Sequence, residues 1–468
     1  MALRRPRPPP QGRLPFEYDV VPDTGSVTSY GGLPIVIDAL RSHGSEASIQ
    51  KHVQVRERSS THTEVTLIED LVLLMSAGGD CLDDLAGLRD DKGLSRLLGR
   101  TMASPETARK FLYEFHDDEL IAKAQAALPP GEVAYVPEEN EALKGLGRVM
   151  VDFNRAVSAR GQCKVATVDL DATIQESHKK EAKWHYEGGR GYQPVIAVWA
   201  EMDLVLVDEF RDGNVPAGKD TLRLTKRAFE SLPAAVTKRR FRGDSACYNR
   251  DQLRWLLSEK IEFSISADMT QELKARCTEL RPDDWKLLET RSTEQVHVSE
   301  VQHIPGWWEK GMDRPRYLVV RLTPTQGRLF DEGVGPKYLG VATNREGSAE
   351  ELLRWHWEKA GTVEHVHDVV KNELGGGVLP CGRFGANAAW FRLSLFTYNV
   401  LSALKSVALP PELHDARPKR LRFRIFTLPA IVGMHARQLW AKLIDRANWA
   451  TEVALGRRTL WRALAAVS

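Results

Sequence analysis

The 468-residue sequence is poor in cysteine, in long apolar runs and in net charge, and each shortage excludes something. Its five cysteines (Cys81, Cys163, Cys247, Cys277 and Cys381) are odd in number, scattered and without C-x-x-C spacing. That argues against a disulfide framework and a structural zinc site, and fits a reducing cytoplasm. No apolar run nears the ~18 residues of a membrane span; the best, Leu71–Met75, is far shorter. The start carries Arg4, Arg5 and Arg7 but no apolar segment of a secretory signal, so a cytoplasmic protein with no membrane partner is expected. A net charge of +2 says nothing about nucleic acid. What remains, 42% hydrophobic and 27% charged residues, is ordinary for a globular chain of several domains.

The charge is nevertheless unevenly placed. From Arg417 onward eleven basic residues, among them Lys419, Arg420, Arg422 and Arg424, face two acids. The first sixteen residues add four arginines and no acid. Basic ends on a near-neutral chain suggest a polyanionic partner, against the alternative of a solvated basic face.

Along the chain, residues 1–30 read as a basic, Pro-rich arm, and apolar spacing over residues 31–160 is helical. Ser104-Pro105-Glu106 is a helix start, with Ser as N-cap and Pro in the first turn. The helix it opens exposes Arg109 and Lys110, as the second helix of a helix-turn-helix would. The period then changes. Lys164–Leu170, Val195–Ala200 and Leu204–Phe210 read as strands. Helices near Thr221–Leu232 and Arg250–Lys260 then alternate with strands near Arg239–Gly243 and Glu262–Ser266, which makes an α/β pattern with a mixed sheet. Residues 268–345 read as a β-rich insertion, and helical spacing returns over Ala349–Leu374 and Ala388–Leu404.

Asp169 and Asp171 point to one face of the first strand, Asp244 ends another strand, and Glu364 lies on the helix after the insertion. Acids so placed can converge at one edge of a mixed sheet, where three carboxylates would hold two divalent ions for phosphodiester chemistry, but among 63 acids the spacing alone is a weak signal. Trp357 stands seven residues before Glu364 and Lys371 seven after it, so on one continuous helix the three share a face.

Here the sequence resembles the bacterial insertion-sequence DDE transposases whose signature is Y-x2-R-x3-E-x6-K, and within them the transposase DDE domain group 1. The spacing matches at Trp357, Ala360, Glu364 and Lys371, with Trp in place of Tyr and Ala in place of Arg. Gly31-Gly32-Leu33, Ser104-Pro105-Glu106-Thr107, Asp169-Leu170-Asp171-Ala172-Thr173, Arg211-Asp212-Gly213-Asn214, Arg242-Gly243-Asp244-Ser245 and Ala386-Asn387 resemble further family pieces in the same order.

The resemblance implies an α/β fold: an RNase H-like mixed-sheet catalytic core with a β-rich insertion, plus helical N-terminal and C-terminal regions. The core would comprise residues 161–267 and 346–410, the insertion 268–345, the helical DNA-binding region 31–160 and a basic helical tail 411–468. Asp171, Asp244 and Glu364 would bind two Mg²⁺ ions, with Mn²⁺ able to substitute and Asp169 the alternative to Asp171. Lys371 would contact phosphate, Trp357 stack on a flipped base, and Arg109, Lys110, Lys419, Arg420 and Arg422 bind DNA. Lys359 or Arg354 would take the place of the absent signature Arg. The activity would be cleavage and strand transfer at inverted-repeat ends by a homodimer on paired ends, with target DNA as the other partner. A catalytically impaired DNA-binding derivative is the alternative.

Residues 213–220 nearly form a P-loop, the mark of an NTPase, but Asp220 stands where Ser or Thr is needed and Pro216 removes an amide. His365, His367 and Asp368 lack H-E-x-x-H spacing and read as solvated or phosphate-facing. Gly375–Gly377 reads as a helix C-cap and hinge.

Overall fold

The computed structural model describes residues 20–55, 61–161, 163–308, 311, 313–325, 336–445 and 447–465. The arginines of the first sixteen residues, and Arg446, lie outside them.

The N-terminal third is helical: α1 (Ile35–Ser42), α2 (Ser45–His52), α3 (Glu64–Ala77), α4 (Pro105–Tyr113) and α5 (Glu141–Gly161), with further helices between. Local chemistry sets their ends. Thr63 caps α3, accepting from the Thr66 amide, and Gly78 ends it in the left-handed conformation. Ser104 caps α4 by accepting from the Thr107 amide, with Pro105 in the first turn as the sequence predicts.

Nine strands follow in one sheet: β1 (Val165–Ala172), β2 (Val195–Trp199), β3 (Leu204–Glu209), β4 (Lys238–Gly243), β5 (Glu262–Ala267), β6 (Lys286–Thr290), β7 (Glu294–Val301), β8 (Arg316–Pro324) and β9 (Lys337–Thr343). Helices α6 (Thr221–Ser231) and α7 (Arg250–Ser258) join β3 to β4 and β4 to β5. The spatial order is β6-β7-β8-β9-β5-β4-β1-β2-β3. Within it β3, β2 and β1 are antiparallel, while β1, β4 and β5 run parallel. This is the expected mixed α/β sheet. The predicted insertion forms no separate sheet: β9 pairs antiparallel with β5, so β6–β9 extend the same sheet.

Three helices complete the order: α8 (Ala349–Trp357), α9 (Val363–Glu373) and α10 (Phe384–Ala408). The expected continuous helix over Ala349–Leu374 is broken between α8 and α9. A 3₁₀ turn at Glu358–Gly361 and a non-helical Thr362 (φ −113°, ψ −93°) separate the two. At the far end of α9 the expected glycine cap is present. Gly375 is left-handed, and the Gly376 amide donates to the Val370 carbonyl at 3.0 Å.

The expected helical tail is instead folded into the body. Residues Arg422–Phe426 form a π-helical turn with Ile425 and Phe426 buried. The hairpin β10 (Ala430–His435) and β11 (Gln438–Leu443) pairs with Val27–Thr28, which the sequence assigned to a loose arm. The final helix α11 (Trp449–Ala465) returns to α1, where Arg457 and the Trp461 indole both meet Asp38, at 2.9 and 2.8 Å. Gly32 is required here: a Cβ would lie 1.9 Å from the Ile425 carbonyl oxygen.

Helix α10 joins the helical region to the sheet and is buried from Gly385 to Leu404. It packs against β3, an edge strand whose outward backbone groups would otherwise be unpaired. Asn399 accepts from the Val205 amide and donates to the Val205 carbonyl, both at 2.8 Å, and Asn154 of α5 donates to the same carbonyl. Arg392 reaches Asp208 of β3 at 2.7 Å, Glu139 at 2.6 Å and the Leu143 carbonyl at 2.6 Å.

Two stability predictions follow from this packing. Arg392→Met removes the guanidinium that pairs directly with buried Asp208 and with Glu139 and should cost about 3–5 kcal/mol in chemical denaturation. A loss below about 1 kcal/mol would show that the two acids find other partners. Burial also raises the Asp212 carboxyl to about 6, with Lys183 opposing the shift. The folded chain therefore holds that proton more tightly than the unfolded one. The stability from this group is complete below its ordinary value near 3.8 and is lost as pH rises through about 6. Asp212→Asn should consequently gain on the parent chain by about 2–3 kcal/mol between pH 4 and 7. A pH-independent difference in urea midpoints would overturn this assignment.

Candidate active site

The site begins with two adjacent parallel strands. In the β1/β4 ladder Asp169 lies opposite Arg242 and Leu170 opposite Gly243. The next residues outward, Asp171 on β1 and Asp244 just past β4, therefore emerge side by side at the strands' C-terminal ends. Asp244 caps the short turn Ser245–Cys247, accepting from the Ala246 amide at 3.0 Å. Burial pushes its carboxyl up, and the negative charge of Asp171 adds to the shift.

The two aspartates of β1 share a face but have different surroundings. Asp169 is fully buried; Arg242 grips it through two hydrogen bonds, at 2.6 and 2.8 Å, and the Thr362 hydroxyl donates to it. Asp171, one step nearer the strand end, keeps 15% side-chain exposure. The remaining guanidinium nitrogen of Arg242 donates to the Trp355 carbonyl at 2.6 Å and to Glu358 at 3.1 Å. The pair beneath the site thus also holds the break between α8 and α9.

Beyond that break Glu364 lies in the first turn of α9, with its carboxylate half-exposed. Lys359 arises from the 3₁₀ turn and is itself buried. Its ammonium stands 3.0 Å from Asp171 Oδ1 and 3.7 Å from Glu364 Oε1. Burial alone would lower its pKa; Asp171, Asp244 and Glu364 outweigh that and hold it above the ordinary lysine value. His367, one turn after Glu364, is buried with Nε2 3.9 Å from Asp171 Oδ2 and no hydrogen-bond partner for that atom. Burial lowers its pKa to about 4, so the ring is neutral near pH 7. The expectation of a solvated His367 is corrected: it faces the acids, three residues from Glu364 on one helix face.

The donor set of three carboxylates with an orphaned imidazole nitrogen suits a hard divalent cation. Three such ligand atoms lie within 4.8 Å of one another only at Asp80, Cys81 and Asp84 among the described residues. There Asp84 closes a turn by accepting from the amides of residues 80 and 81. The three acids of the site are spaced more openly, around Lys359.

Other expected residues fall elsewhere. Lys371 remains on α9 with Glu364 and donates to the Ile174 carbonyl at 3.3 Å, just beyond β1. Trp357 does not share a helix with Glu364. It ends α8 and packs against the buried cluster that includes Val296, Val298, Leu318 and Val320 of the insertion, and the Arg291 guanidinium stands 5.6 Å from its ring centroid. The break removes the common face that an unbroken helix predicts. Ala360 is exposed, and Arg354 pairs with Glu350 on its own helix. Arg109 and Lys110 both meet Glu106, at 2.8 and 3.6 Å.

Arg422 differs from its basic neighbours. It donates to the Ser76 and Met75 carbonyls, at 2.9 and 3.0 Å, and to the Glu373 carbonyl, so it caps the C-termini of α3 and α9. Lys419 and Arg420 are exposed and line an open groove of about 790 Å³ with Phe423 and Arg424. The near P-loop is a turn built on buried Arg211, which donates to the Pro216 and Ala217 carbonyls. Its Lys219 donates to the Ala134 carbonyl. Neither arrangement cradles a phosphate, so the NTPase alternative has no support here.

Sequence reasoning placed Asp171, Asp244 and Glu364 but missed Lys359 as their neighbour and His367 as a buried one. The i, i+3 spacing of Glu364 and His367 was the available signal for the second.

No curated protein matches this sequence. Among solved structures, a chain described as a piggyBac transposase synaptic complex with hairpin DNA aligns at 10% identity and a TM-score of 0.43, covering 84% of this chain and 77% of that one. The family described as transposase DDE domain group 1 matches residues 18–463, nearly the full length of 468. This chain therefore belongs to the transposase DDE domain group 1 family and is a DNA transposase.

Proposed function

We propose that this transposase cleaves the strands at the inverted-repeat ends of a mobile element and joins the freed 3′ ends to target DNA, with Asp171, Asp244 and Glu364 as its metal-holding acids. The observation that carries the reading is their convergence. Two aspartates at the ends of neighbouring parallel strands and a glutamate from a helix surround one cationic point. Two divalent cations, Mg²⁺ or Mn²⁺, would there supply Lewis acidity toward the attacking and leaving oxygens of a phosphodiester.

The protein's own residues do the rest. Burial of Asp244 and the pairing of Asp171 fix these two carboxylates before DNA arrives. Lys371, two helical turns beyond Glu364, lies where it can hold a backbone phosphate. At the C-terminal end of α9, beside Glu373, the groove of Lys419, Arg420 and Arg424 offers further basic side chains, with Phe423 presenting an exposed aromatic face. A homodimer on paired ends is the assembly that presents both element ends to such sites. Asp171 is the metal ligand in preference to Asp169, whose oxygens are already taken by Arg242 and Thr362.

Two experiments test this. Asp171→Asn, Asp244→Asn and Glu364→Gln should each lower strand cleavage on the order of a thousandfold, the equivalent of about 4 kcal/mol of lost Lewis acidity. DNA affinity should change little, because phosphate contacts supply most of it. Asp169→Asn should instead destabilise the fold by about 3–5 kcal/mol, since it strands Arg242. Cleavage near the parent rate in any of the first three removes that residue from the site. For the basic face, Lys419→Ala with Arg420→Ala should lower the slope of log K against log salt by about 1.8, or 0.9 per phosphate contact. An unchanged slope would mean that this face is merely solvated.

A further inference from the structure

Lys359, which the sequence offers as a stand-in for the absent signature Arg, has its ammonium against Asp171 and Glu364. Its side chain is 9% exposed, and lysines are rarely buried unless paired. The pairing comes from the acids themselves, at 3.0 Å to Asp171 and 3.7 Å to Glu364, with Asp244 close enough to add to the field. The placement is also enforced from below. The Thr362 hydroxyl, which donates to Asp169, stands 3.0 Å from the Lys359 carbonyl, and Arg242 holds the preceding Trp355 carbonyl and Glu358. A pinned backbone and a buried stem leave the ammonium little freedom to point elsewhere.

Three carboxylates around one ammonium carry a local charge of −2 when all are ionised. Without the ammonium they would repel one another with no compensation. With it, the oxygens of Asp171 and Glu364 that face inward are already engaged. We propose that Lys359 is a resident counter-ion: it holds the three acids in place in the metal-free chain and competes with divalent cations for the same oxygens. Lys359 thereby keeps the metal affinity of the free protein low while the acids stay assembled. This rests on the reading of Asp171, Asp244 and Glu364 as metal ligands.

The test is Mn²⁺ binding to the full chain without DNA, followed by electron paramagnetic resonance, together with thermal unfolding. Lys359→Met should bind Mn²⁺ on the order of tenfold more tightly than the parent chain. It should also melt lower in chelator and be raised more by Mn²⁺ than the parent. Lys359→Arg, which keeps the charge, should retain the weak affinity; Lys359→Gln serves if the Met variant does not fold. Equal Mn²⁺ affinity and equal Mn²⁺-dependent melting shifts in parent and neutral variants would overturn the proposal. Adding Glu364→Gln to Lys359→Met separates the two readings. Loss of Mn²⁺ binding in that double variant upholds the acid site whatever Lys359 does. Binding that survives both Glu364→Gln and Asp171→Asn would overturn the acid site itself.

Discussion

The ion pair between Asp169 and Arg242 is the contact on which the rest of the site depends. It joins β1 to β4 inside the sheet, where the parallel register puts the two residues opposite one another. A bare carboxylate or guanidinium at that depth would be too costly to bury, so each requires the other. Arg242 has donors to spare after meeting Asp169, and it turns them on the Trp355 carbonyl and Glu358. The pair therefore reaches out of the sheet and fixes the chain that carries the third acid.

That contact explains why the helix between residues 349 and 374 breaks. Gly361 is a poor helix residue, but one glycine rarely ends a helix by itself. Thr362 completes the break by giving its hydroxyl to Asp169 and leaving the helical conformation. The consequence is geometric. Trp357 turns toward the insertion, whereas Glu364, His367 and Lys371 start afresh on α9 and face the strand ends. The short turn between them drops Lys359 into the middle of the acids, a position that an unbroken helix would not provide.

A second set of buried charges holds the sheet to the helical region. Arg392 and Asn399 on α10 occupy the side of β3 that would otherwise be an open edge, and their partners come from α5 and the segment before it. At the opposite end the insertion lengthens the sheet by four strands. Asp171 and Asp244 lie between these two supports, at the ends of strands flanked on both sides. The C-terminal segment closes the helical region, since Gly32, Asp38 and Val27 each meet residues from beyond position 424.

Much of this was legible in the order of residues. Stretches of strand-forming residues between turns marked β1 to β5 to within a few residues and the insertion as β-rich, and Ser104 with Pro105 marked the start of α4, because those signals are local. Asp171, Asp244 and Glu364 could be singled out among 63 acids only through the family resemblance, since strand ends and a following helix by themselves mark many such residues. Other features depended on partners distant in sequence. The choice between Asp169 and Asp171 rests on Arg242, 73 residues from Asp169. The folding-in of the C-terminal segment rests on contacts with residues near the start of the chain, and the structural duty of Arg422 on carbonyls 346 and 347 residues away. The sequence alone determined the helical N-terminal region and the strands of the central sheet, because propensity and spacing act over a few residues. Only the tertiary structure decided which charges are spent on one another and which stay free, because burial and pairing arise when distant segments meet.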